Sequence, residues 1–214
     1  QERDVREARS LVLRNALESH YRDLCEVAEK LDSEIASESI ISPSLRQDPM
    51  LEALRKHLPR SPLWNKLNRW EHVLEEIAKL ESDVNRQLRE EIEAEPILDP
   101  ILSAGERGVI PGMIAALTFQ TKAWARGDAG LNIEDNFKAE PVEKGFENVG
   151  YGFSNMGKVQ TGHVAPIKEV LIHFESRITN WDQYRDMQRL FAELQRLKLG
   201  LRDQLTIIIR RRVV

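Results

Sequence analysis

The run Gly152-Phe153-Ser154-Asn155-Met156-Gly157-Lys158 has the GxxxxGK spacing of a phosphate-binding loop. In such a loop backbone N–H groups wrap the phosphates, the lysine neutralises them, and a following Ser or Thr holds magnesium. Here Val159 stands at the Ser/Thr position, and the residues before Gly152 are glycine-rich and polar where a buried strand is required. The run is read as a chance match to a short pattern. If a ligand is bound in this region, Tyr151, Phe153 and Lys158 are the residues to hold it, with Trp64 as a further aromatic wall.

The remaining chemistry-bearing residues form no recognisable set. His72 lies at helical spacing from Glu75 and Glu76, as Glu169 does from His173, but neither matches HExxH or the paired Glu-x-x-His of di-iron bundles. No metal ligands, cofactor or catalytic residues are assigned on this basis. His20 falls on an apolar stripe and is read as a hydrogen-bonded core or interface histidine. The single cysteine, Cys25, lies beside the same stripe and is read as a buried, inert thiol. Arg210, Arg211 and Arg212 form a basic cluster at the chain end. Glu90 and Glu91, with Glu93 and Glu95, form an acidic one. The simpler reading of each is a solvated helix end, and the sharper one is that the two clusters meet.

The elements that carry these residues are helical. Trp181, Tyr184, Phe191, Leu194, Leu197, Leu201, Leu205 and Ile208 recur mostly at gaps of three and four. A helix over 180–210 is roughly 43 Å long at ~1.5 Å per residue, so it needs long neighbours or a second copy. Residues 4–41 carry Leu13, Leu17, His20, Leu24, Val27, Leu31 and Ile35 at heptad-like spacing, ended by Ser42-Pro43. Asp48-Pro49 starts a short helix over 49–57, and Ser61-Pro62 starts one over 62–94. A short helical piece follows at 100–104. The helix over 109–126 is apolar nearly all round, with Gly112, Ala115 and Ala116 admitting close neighbours and Gly127 as its C-cap. The last remaining helix spans 163–178. Residues 127–162 lack helical period and are read as a long Gly/Asn-rich irregular loop, although Val149, Tyr151 and Phe153 alternate with Gly150 and Gly152 like a short extended piece. The expectation is an all-α bundle of long amphipathic helices forming a single domain.

With 214 residues, 31% of them charged, and a net charge of −4, the chain has no bulk attraction for nucleic acid. One cysteine fits a reducing, cytoplasmic setting. The chain opens at Gln1 inside a charged helical pattern and stops after a basic cluster, which reads as a piece of something longer, with a membrane tether upstream as one form of it. The function expected is a non-enzymatic interaction or scaffold domain that self-associates or binds a helical protein partner. The alternatives are a ligand-sensing regulatory domain using residues 127–162 and, third, a nucleotide- or metal-dependent enzyme.

Overall fold

The computed structural model describes residues 2–98, 102, 106–128, 132–152 and 154–210, with side chains described from Arg9 onward. The helices are α1 (Glu2–Ala36), α2 (Pro43–Arg46), α3 (Pro49–His57), α4 (Pro62–Glu93), α5 (Val109–Arg126), α6 (Ile133–Asn136), α7 (Val164–Ile178) and α8 (Asp182–Arg210). Three strands, β1 (Phe137–Glu143), β2 (Phe146–Tyr151) and β3 (Ser154–Gln160), form an antiparallel meander. The chain is thus mostly helical, but it carries a small sheet that an all-α fold does not have. Apart from Leu102, the helical piece expected at 100–104 lies outside the described residues.

Two compact units divide the chain, one built from residues 1–75 and 193–214 and the other from 76–192, so that α4 and α8 contribute to both. In the first unit α1 buries Leu24, Val27, Leu31 and Ile35, α4 buries Leu63, Leu67 and Trp70, and α8 buries Leu194, Leu201 and Leu205. Charged pairs tie the rims of these helices. Arg69 grips the Glu193 carboxylate with two nitrogens at 2.7 and 2.9 Å, and that hydrogen bonding holds the carboxyl below its usual range. Arg202 likewise grips the Asp32 carboxylate with two nitrogens, at 2.9 and 3.2 Å.

Helix α1 stops at Ala36, short of the expected 41. Glu38 adopts a positive φ of 54°, its N–H bonds to the Ile35 carbonyl, and the Ser39 N–H reaches back to the Glu34 carbonyl at 3.2 Å. This is the Schellman ending, usually made with glycine. The Glu34 carboxylate then accepts from both the backbone N–H and the hydroxyl of Ser42, fixing the next turn.

In the second unit α5 is the most enclosed helix, burying Ile110, Met113, Ile114 and Leu117, while Ala115 and Phe119 remain on its exposed side. Gly112 lies so close to β3 that a Cβ there would sit 2.6 Å from the Met156 Cα. Residues 137–160, expected to be irregular, are a sheet because one face buries Val149, Tyr151, Met156 and Val159. The two-residue turn between β1 and β2 has Gly145 at φ 82°, a conformation that other residues adopt at a cost.

Candidate functional site

The site with the most accessible chemistry lies in the first unit, where α1 leaves its packed core. A groove of about 910 Å³ runs beside α1 and is lined by Leu17, Tyr21, Leu24, Leu54, Leu58 and Ile208, together with His20 and His57. It exists because α1 continues past the helices that cover it. Leu24, Val27 and Leu31 are 7%, 1% and 0% exposed, yet Leu13 and Leu17 on the same heptad stripe are 64% and 68% exposed. Every side chain from Arg9 to Ser19 is exposed, Leu11 and Val12 included. One amphipathic stripe is therefore half covered and half bare.

Polar groups are arranged along the covered edge of the groove. The Nε2 atoms of His20 on α1 and His57 on α3 are 3.2 Å apart, one ring donating to the other. The Ile208 carbonyl lies near the end of α8, facing α1. The Tyr21 hydroxyl donates to it at 3.5 Å, and the Cys25 thiol lies 4.0 Å from it. Cys25 is fully buried. Among the described residues no group of three or more His, Cys, Asp or Glu side chains converges as a metal-ligand set.

The residues singled out in the sequence are dispersed. Trp64 is buried in the first unit, where its indole N–H donates to the Leu58 carbonyl at 2.7 Å and the Arg55 guanidinium lies 5.7 Å from its ring. Tyr151 and Lys158 belong to the sheet of the second unit, and Phe153 lies outside the described residues. Gly152 is in the turn between β2 and β3, and the GxxxxGK run continues into a strand where a phosphate loop leads into a helix. Lys158 is paired with Glu143 and lies 4.6 Å over the Phe146 ring. Tyr151 is buried, and its hydroxyl has no hydrogen-bond partner among the described residues. Burial, and then the charge of Glu175, push its pKa up to about 12. The Glu175 carboxylate accepts the Ile133 N–H at 2.8 Å and the Gln120 amide. Glu90 is exposed, whereas Glu91 is ion-paired with Arg177 at 3.0 Å. Arg210 is exposed at the end of α8, and Arg211 and Arg212 lie outside the described residues.

The residues that sequence reasoning missed are His57 and the bare half of α1. His57 is 37 positions from His20, and no local spacing connects them. Comparison with protein-family models, curated proteins and solved structures finds no match to this chain. Among the described residues no helix is long and apolar enough to cross a membrane.

Proposed function

We propose that this chain is a non-enzymatic helical interaction domain that self-associates through the N-terminal half of α1. The observation that carries the reading is the exposure of Leu13 and Leu17 on a stripe whose later members Leu24, Val27, Leu31 and Ile35 are core. Water contact on two leucines, with Leu11 and Val12 beside them, is unfavourable by about 25 cal/mol per Å² of apolar surface, and a second α1 removes it.

Charge selects the orientation. With Ser10, Leu13, Leu17 and His20 as the a and d positions, Arg9 and Asp23 fall at g and Arg14 at e. A parallel, in-register pair sets Arg9 against Arg14 of the second copy, twice by symmetry. An antiparallel pair seats Leu13 on Leu17 and sets Arg9 against Asp23 of the second copy, also twice. Arg14 then meets its own copy, but each Arg14 already pairs with Glu18 at 3.0 Å. Antiparallel pairing is therefore the arrangement with complementary flanks. The seam is only a few turns long and buries less than the about 800 Å² per partner of a standard interface, which makes the association weak and concentration-dependent.

Sedimentation velocity over a micromolar to submillimolar series tests this. The expected result is a monomer–dimer equilibrium that Leu13→Glu with Leu17→Glu abolishes without changing the circular dichroism spectrum. A strict monomer throughout the series sinks the reading.

A further inference from the structure

We propose that His20 and His57 form a two-histidine site for a divalent transition-metal ion. Their Nε2 atoms are 3.2 Å apart. Two imidazole nitrogens bound at ~2.0–2.1 Å to one tetrahedral zinc ion lie about 3.3 Å apart, so the present spacing already suits a shared metal. The contact as it stands needs one proton between two lone pairs, and a metal ion takes that proton's place. The ring centroids are 5.4 Å apart with the planes inclined at 59°, so the two nitrogens face each other nearly head-on. Binding requires each ring to tilt off that line. His57 is exposed and His20 half-buried, which leaves room for the tilt.

The ligands come from α1 and α3, two helices that pack together, so chelation would staple the bare end of α1 to its neighbour. No third protein ligand converges there among the described residues, and the remaining positions fall to water in the adjoining groove. Two neutral imidazoles with water favour copper, nickel and zinc over calcium or magnesium.

The test is a calorimetric titration of zinc chloride into the whole chain. The expected result is one saturable zinc ion per chain, a higher melting temperature with zinc, and affinity lowered about tenfold or more by His57→Gln. His173→Asn, an exposed histidine of the other unit, should leave the isotherm unchanged. Leu13→Glu should also leave zinc uptake intact even where it abolishes self-association, which separates this proposal from the preceding one. No zinc uptake by the wild-type chain, or equal uptake by His57→Gln, overturns it.

Discussion

Lys198 holds the carboxylate of Glu38, at 2.9 Å, on the one described non-glycine residue whose backbone has a positive φ. Gln195 donates to the same carboxylate oxygen at 3.0 Å. Both side chains of the ion pair are largely covered, at 20% and 15% exposure. A left-handed residue with a Cβ costs about 1–2 kcal/mol, and here α8 supplies the contact that offsets it. Lys198→Met should therefore lower stability by about 1–3 kcal/mol, between the values of exposed and fully buried pairs. Glu38→Gly and Glu38→Ala lose the same pair, but only glycine relieves the backbone, so the glycine variant should be the more stable by about 1 kcal/mol. Urea denaturation ranks the three, and an alanine variant equal to the glycine one would remove the strain from the account.

The Gly112–Met156 contact makes the opposite prediction from helix propensity. Alanine at an interior helical glycine normally gains about 1 kcal/mol. Here its Cβ would lie 2.6 Å from a backbone carbon of β3, and backbone cannot move aside as a flexible side chain does. Gly112→Ala is expected to cost about 1–3 kcal/mol as overpacking outweighs propensity. A thermal melt at or above the wild-type temperature would show that α5 and β3 sit further apart.

Tyr151 gives a pH signature. Its folded-state pKa is raised to about 12 from 10.0, so the neutral phenol is the favoured form inside the sheet. The stability linked to it is fully present below pH 10 and is lost as pH rises through about 12. The spectrophotometric titration of the tyrosines should contain a component near pH 12 that Tyr151→Phe removes. Because the buried hydroxyl has no partner among the described residues, that variant should fold with unchanged or slightly greater stability.

Charge exchange tests the orientation of the proposed dimer. Asp23→Arg should weaken association and reverse its salt dependence, because added salt then screens a repulsion instead of an attraction, and adding Arg9→Asp to it should restore the dimer. Sedimentation of the single and double variants decides this: a parallel seam, with Arg9 against Arg14, predicts no loss from Asp23→Arg, and failure of the double variant to recover would remove the Arg9–Asp23 contact from the account.

Helix starts and stops were plain in the sequence wherever a residue type had one structural use. Asp48 caps the Met50 N–H ahead of Pro49, and Gly127 ends α5 at φ 100°. The end of α1 was not plain, because a glutamate occupies a place that glycine usually takes, and the lysine that holds it is 160 residues away. The sheet was hidden for a different reason. Pro141 stands in β1, Gly150 in β2 and Gly157 in β3, while charged residues such as Lys138, Glu140 and Lys158 cover the outer positions. Local propensity there argues against strands, and packing of Val149, Tyr151, Met156 and Val159 overrides it. His20 could be read as hydrogen-bonded, but its partner comes from a separate helix that only the folded chain brings near.

The bare half of α1 has a dynamic consequence. Isolated helices shorter than about 12–15 residues are marginal in water, so the turns from Arg9 to Ser19 keep their shape chiefly because the buried turns beyond Leu24 nucleate them. Amide hydrogens along this single rod should exchange with solvent at two very different rates, with the break near His20. Whatever occupies the exposed leucines slows the fast half, so fraying at one end of a helix becomes a direct gauge of occupancy.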